Sequence, residues 1–423
     1  MNNKKKKSDL YGFLTAFGYN GPMHGEAQGR YRTSYEVRKR KEANGIKPYR
    51  EIDLADENAL KMLESETDTV VFSSGNDTGS LIAFKKDNKT DLFQMGRSTE
   101  PLIDYVVVDT IPGNKENLEQ HLVQSTISRY AARFTVERSS PHRTRIYAAA
   151  FNAKRQIVLG EHAPQWSNGK KFSDGLTTNG VLLCHPKGNW GKEMKPGVWR
   201  EVSVSGEMFG LRHCRSAKHR GKTSDCSNVL QDGTLIDLCG VVMLWRTCNG
   251  LKYSPSRSDL LEKREYLNSM KVQCPVGLAT LRFDNKTNDK ESLPYVYTTC
   301  GHVHGYHTWG ARPGLDSIIQ DNSNIFDDIR QCPYCKEKGV YVRLEVGLEP
   351  NFYIDNGPLT HAFVPCGHMT TELTARYWSR VLIPLGKDKF HMACPFCALP
   401  LEGEGFIKLI YQTQTEIKIP ISV

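Results

Sequence analysis

Between residues 300 and 397 the chain repeats one chemical pattern. Cys300-Gly301-His302 is followed by Cys332-Pro333-Tyr334-Cys335, and Cys366-Gly367-His368 by Cys394-Pro395-Phe396-Cys397. Each short turn offers two sulfur or nitrogen donors, and zinc takes four in a tetrahedron. Six cysteines and two histidines in four pairs are enough for two closed sites. Buried thiols and core histidines are the ordinary alternative, but the same two turns in the same order twice favour two structural zinc ions. Which pairs share an ion is open. A tandem arrangement joins Cys300/His302 with Cys332/Cys335 and Cys366/His368 with Cys394/Cys397. A cross-brace joins Cys300/His302 with Cys366/His368 and Cys332/Cys335 with Cys394/Cys397. Cys274, in a Cys-Pro-Val-Gly turn that lacks a second cysteine, is a further candidate ligand, as are His304 and His307. His361 and His391 read as supporting or core histidines. With no H-E-x-x-H and a partner for every pair, nothing indicates a hydrolytic zinc.

Three motifs upstream suit an anion. They are Gly96-Arg97-Ser98, Thr126-Ile127-Ser128-Arg129 and Thr177-Thr178-Asn179-Gly180. Each alone is ordinary turn chemistry. Together they supply what a phosphate dianion needs. Arg97 is a charged two-pronged donor. Ser128 and Thr178 bring hydroxyls, and Arg129 adds charge. The Asn179 amide can pair with a ligand's main chain.

These motifs need a scaffold of strands. Val70-Val71-Phe72, Tyr105 to Val108, Arg145-Ile146-Tyr147, Gly180 to Leu183, Leu235 to Leu238 and Val241 to Trp245 are β-rich runs divided by Gly, Asn and Pro clusters. Many short strands with regular turns predict a sandwich or barrel over the first 245 residues, and no βαβ alternation interrupts them. Leu260, Leu261, Tyr266 and Leu267 recur at helical spacing, which predicts a linker or short amphipathic helix over 256–270. Residues 1–9 read as a solvated basic tail and 401–423 as a C-terminal tail, where Ile417, Ile419 and Ile421 alternate as in an edge strand.

Composition narrows the function. The chain has 423 residues, enough for more than one domain, and a net charge of +9. Residues 270–423 hold 15 Lys+Arg against 16 Asp+Glu, so the basic excess lies in the first 269, with 41 against 31. An anionic partner therefore belongs to the N-terminal half. A zinc-dependent nucleic-acid binder would carry its basic face on the metal half, so no nucleic-acid partner is expected. Lys4 to Lys7 precede no apolar run, and no stretch reaches the roughly 18 apolar residues of a membrane span. The expected compartment is cytoplasmic, with nucleus as the other reducing choice, and the 12 cysteines are metal ligands or thiols before disulfides.

The three upstream motifs, in this order, resemble the forkhead-associated (FHA) domain, a β-sandwich that binds phosphothreonine peptides through loops at one end. One departure is plain: the histidine of that family's Ser-x-x-His motif falls at Ala131. The resemblance extends to the Pellino family through Thr90 to Glu100, Asp174 to Val181, Gly197 to Glu201, Asn228 to Gly233, Cys274 to Leu278 and Cys300 to His307. It implies a mainly β fold. An FHA-type β-sandwich with an appended β wing would occupy residues 10–255, the wing drawn from 20–90 and 185–225. A small zinc-stabilised RING-like α+β domain would occupy 271–400. It also implies a ubiquitin ligase of Toll and interleukin-1 receptor signalling. Arg97, Ser128, Arg129, Thr178 and Asn179 would read phosphothreonine on a receptor-associated kinase, and the zinc domain would position a ubiquitin-conjugating enzyme without a catalytic residue of its own. A non-catalytic, phosphorylation-dependent adaptor is the alternative.

Overall fold

The computed structural model describes residues 9–18, 34–65, 67–75, 78–108, 126–168, 171–191, 193–215, 217–284, 289–309, 329–385 and 389–412. The basic tail expected at the N-terminus and the alternating isoleucines at 417–421 lie outside the described residues, apart from Asp9.

Two sheets form the sandwich. The larger runs Met208–Phe209, Arg200–Val202, Val181–Cys184, Leu235–Asp237, Val242–Thr247, Leu10–Ala16, Ser34–Arg38. Facing it is a sheet of Tyr105–Val106, Thr90–Gly96, Ala132–Glu137 and Thr144–Ala148. Between them Phe134 stacks on Phe93 at 5.3 Å and meets Trp245 at 6.4 Å. All six expected runs contain strands, from Thr69–Gly75 to Val242–Thr247.

A third sheet, Gln156–Leu159, Thr69–Gly75, Thr78–Asp87 and Gly45–Asp53, stands beside the sandwich. Its strands alternate as a two-faced sheet must. Val70, Phe72 and Ile82 turn towards the sandwich core, while Val71, Leu81 and Ala83 turn away. The outward face is covered by helix α1, Glu57–Glu64, through Ala59, Met62 and Leu63. This wing therefore comes from 45–87 with one strand from 156–159. Residues 185–225, expected to contribute, instead supply two edge strands of the main sheet, because Glu201 pairs with both Leu182 and Phe209.

Helix α2, Arg257–Ser269, begins at a capping box in which Ser256 and Asp259 bond each other's backbone. Leu260 and Leu267 are buried, whereas Tyr266 is 52% exposed and points to solvent. The metal half follows as two four-stranded sheets and a two-stranded one, Ile383–Leu385 with Lys389–His391, together with helix α3, Glu372–Trp378. The expected tail from 401 is part of this fold as far as it is described. Phe406–Lys408 pairs with His361–Phe363, and Leu409 is buried.

The halves share a core. Along the central strands of the main sheet Val181, Leu183, Ile236, Met243 and Trp245 face the sandwich interior. Their neighbours Leu182, Cys184, Leu235, Val242 and Leu244 face the metal half, where they cluster with Phe352, Trp378 and Phe396. Polar anchors cross the same boundary. The Trp190 indole donates to Tyr353 O at 3.0 Å, Trp199 to Leu382 O at 2.7 Å, and Arg246 to Asn351 O at 2.6 Å.

Candidate functional site

Ser128, Thr178 and Asn179 meet at one end of the sandwich, on a cleft of about 340 Å³ that Tyr130, Asn152 and Val158 also line. The Asn179 amide donates to Thr126 O at 2.7 Å and Ser128 Oγ at 3.1 Å, tying the second motif to the third. Arg97 sits next to them, its backbone N–H on Ser128 O at 3.1 Å and its Nε on Ile127 O at 3.1 Å. Arg97 as a whole is exposed. Gly96 must be glycine here, since a Cβ would lie 2.2 Å from Arg129 O. Arg129 is turned aside: it pairs with Glu100 at 3.1 Å and lies over the Tyr130 ring.

Ala131, where the FHA pattern has histidine, is buried and only its backbone holds the loop. Ala131 N–H reaches Met95 O, and Ser98 N–H reaches Arg129 O, each at 3.0 Å. The Tyr130 hydroxyl adds a bond to Glu100 at 2.6 Å. The loop is thus braced by main chain and by a tyrosine, without a histidine.

Two further arginines hold the third motif, and the sequence reading did not single them out. Arg212 pairs with Glu201 and donates to Thr177 O at 2.8 Å. Arg215 pairs with Asp237 and donates to Asn179 O at 2.8 Å. All four side chains are nearly fully buried. Burial pushes the Asp237 carboxyl up and the Arg215 charge opposes it. The signal was present in Leu235-Ile236-Asp237-Leu238, because a carboxylate inside an apolar strand needs a buried partner.

The cysteine and histidine pairs gather into two groups, Cys300, His302, Cys332, Cys335 and Cys366, His368, Cys394, Cys397, with ligand atoms within 4.8 Å of one another in each. The tandem grouping is therefore the one the fold adopts. Each set is three thiols and one imidazole, a composition and spacing that suits zinc, so each can hold a metal ion. Burial pulls His302 below its usual range, favouring the neutral imidazole a metal needs. The second group is the more buried. There burial pulls His368 down, but the facing Cys397 and Cys366 sulfurs outweigh it and hold the imidazole well above its usual range.

Local backbone explains the ligand turns. In Cys332-Pro-Tyr-Cys335 the N–H of Lys336 returns to Cys332 O at 2.9 Å, and in Cys394-Pro-Phe-Cys397 that of Ala398 returns to Cys394 O at 2.8 Å. Lys336 and Ala398 take the left-handed φ of 68° and 60° that closes such a turn. In both Cys-Gly-His turns glycine is obligatory: Gly301 and Gly367 have φ of 77° and 74°, and a Cβ would lie 2.0 Å from Lys408 O or 2.1 Å from Arg343 O. Cys274 builds the same turn, with Leu278 N–H on Cys274 O at 2.9 Å and Leu278 at φ 56°. Its sulfur accepts from Gly277 N–H at 3.3 Å where the other turns bring a second cysteine. Cys274, His304 and His307 belong to neither ligand group. His304 nevertheless lies against the first, its Nε2 3.7 Å from Cys332 Sγ.

Comparison with known proteins agrees with this division. The family profile of the Pellino FHA domain matches residues 2–263 and that of the Pellino RING domain residues 267–416. The E3 ubiquitin-protein ligase pellino homolog 2 of Homo sapiens is 44% identical over 413 residues, covering 96% of each chain. Protein pellino of Drosophila melanogaster is 45% identical over 408 residues, covering 95% of this chain and 93% of its own. The pellino homolog 3 of Mus musculus is 44% identical over 409 residues, 95% and 89% of the two chains. With both halves matched, and relatives aligned over almost their whole length, the chain belongs to the Pellino family.

Proposed function

We propose that this protein is a RING-type ubiquitin-protein ligase that selects phosphothreonine-bearing partners through its FHA half. The observation that carries the reading is the match of both family domains along one chain, with relatives named as E3 ubiquitin-protein ligases over 96% of its length. The ligase acts by positioning. A ubiquitin-conjugating enzyme brings ubiquitin as a thioester, and the metal half holds that thioester near an acceptor lysine, which converts an encounter into an intramolecular step. Zinc, held by Cys300, His302, Cys332 and Cys335 and by Cys366, His368, Cys394 and Cys397, supplies cross-links that fix these loops. At the other end, Ser128, Thr178 and Asn179 would bond the phosphothreonine and its backbone. Arg97 would turn its free guanidinium edge onto the phosphate, and Arg129 would have to leave Glu100 to join it. Phosphorylated receptor-associated kinases of Toll and interleukin-1 receptor signalling, in the cytoplasm, fit such a reader.

Two measurements test the two ends. Full-length protein with activating enzyme, conjugating enzymes and ubiquitin is expected to form ubiquitin chains. Absence of product with every conjugating enzyme tried would leave only a phosphorylation-dependent adaptor. Separately, a phosphothreonine peptide is expected to bind and its unphosphorylated form not. Arg97→Ala should weaken binding by about 2–3 kcal/mol, the worth of a charge-assisted pair, with the melting temperature unchanged. Equal affinity for both peptides would sink the phosphothreonine reading.

A further inference from the structure

The cleft that holds Ser128, Thr178 and Asn179 is also lined by Gln156, Ile157, Val158, Leu159 and Gly160. Gln156–Leu159 is the outermost strand of the wing sheet, paired in parallel with Thr69–Gly75 on one side only. An edge strand presents backbone donors and acceptors that its own sheet does not satisfy.

In a parallel pair, alternate residues turn both of their backbone groups to the same side. Arg155 O accepts from Thr69 N–H at 3.0 Å. Ile157 and Leu159 share that side, and Gln156 and Val158 turn outward. Asn152 takes the outward groups of Gln156: the Gln156 N–H donates to Asn152 Oδ1 at 3.0 Å, and its carbonyl accepts from Asn152 N–H at 3.1 Å. At the other end the Gln165 amide donates to Leu159 O at 3.2 Å and to Gly160 O at 2.7 Å. Between these two caps the Val158 N–H and carbonyl have no hydrogen bond among the described residues, and Val158 is 59% exposed. A Cβ on the next residue, Gly160, would meet nothing within 4 Å, so approach past Leu159 is open.

The wing's other edge is guarded. Gly45–Asp53 carries Pro48, with the exposed charges Lys47 and Arg50 on either side, and such residues discourage strand pairing. Gln156-Ile157-Val158-Leu159 has neither a charge nor a proline. The unguarded edge is the one that borders the cleft.

We infer that the wing reads the chain flanking the phosphothreonine, by taking an extended segment of it as an added strand at Val158. The inference rests on phosphothreonine binding in the cleft. The partner's backbone accepts from the Val158 N–H and donates to the Val158 carbonyl, so the wing selects an extended conformation and not a particular side chain. Because the edge borders the cleft on one side, only one flank of the phosphothreonine reaches it.

Three peptides test this on full-length protein. The core peptide is a phosphothreonine with two alanines on each side. The others extend it by Thr-Val-Thr-Val, one at the N-terminal end and one at the C-terminal end. One extended peptide is expected to bind about tenfold more tightly than the core, the effect of two added backbone bonds, and the other like the core. Only the tighter one should slow hydrogen exchange of the Val158 amide. Val158→Pro removes the outward N–H at a place where an edge strand tolerates proline. It should lose the tenfold gain and keep the core affinity, whereas Val158→Thr should keep both. Failure of the core peptide to bind would overturn the phosphothreonine reading and this inference with it. Binding of the core without gain from either extension would overturn this inference alone. So would a gain that persists in Val158→Pro, or Val158 exchange that the tighter peptide leaves unchanged in the wild type.

Discussion

Asp174 shows how burial changes what a residue can do. Burial pushes its carboxyl up to about 6, although Ser203, Ser205 and Gly175 all donate to it. A carboxyl raised on folding binds more protons in the native state, so its contribution to stability falls as pH rises through that range. Beside those donors, Arg133 and Glu207 are the charged groups that act on it. We expect urea unfolding of wild type to lose about 1 kcal/mol between pH 5 and pH 7 relative to Asp174→Asn, whose amide does not titrate. A difference independent of pH would show that Asp174 ionises normally. Residue types alone hid this. Only the tertiary fold brings Ser203 and Ser205 onto this carboxyl.

At the scale of the element, the ligand turns and the loop braces are the units that matter. Each Cys-Gly-His turn faces the Cys-Pro-x-Cys turn that follows it, and this decides the wiring. The variant Cys300→Ser/Cys335→Ser should therefore hold one zinc equivalent where wild type holds two, by elemental analysis of purified protein. Loss of both ions would indicate a cross-brace. The third-motif loop rests on the buried Arg215–Asp237 pair. Removing one partner of such a pair leaves an uncompensated charge. Arg215→Met should cost about 3–5 kcal/mol in denaturant unfolding. It should also weaken phosphothreonine-peptide binding, because the Asn179 carbonyl loses its anchor. Arg215→Met/Asp237→Leu should recover much of the stability but not the affinity. Recovery of both would mean the pair shapes only the fold.

At the scale of the molecule, the main sheet is covered on both faces. Val241-Val242-Met243-Leu244-Trp245 is a continuous apolar run, the pattern of a strand with no solvent side. One face packs on the sandwich and the other on the metal half. The two halves are therefore expected to unfold together, and a strong chelator should lower the single thermal transition instead of melting the C-terminal part alone. Two separate transitions by calorimetry would disprove this coupling. Trp199→Ala, which removes an indole and its bond to Leu382 O, should cost about 3–5 kcal/mol.

Much of the fold was legible in the chain. Strands announced themselves by β-branched runs between Gly and Pro clusters, helix α2 by its period, and the metal donors by spacing, because all of these are local and depend on residues a few positions apart. The three motifs proposed to bind phosphate are local in the same sense, which is why the chain suggests them. What tertiary structure alone decided was non-local. It chose tandem over cross-braced ligand groups, turned Arg129 away to Glu100, replaced the missing histidine brace with backbone and Tyr130, and drew residues 401–412 into the metal half. It also took one wing strand from 156–159 and opened a cleft there. Each outcome turns on which of several chemically adequate partners, dozens of residues apart, the packing of the shared core brings within bonding distance.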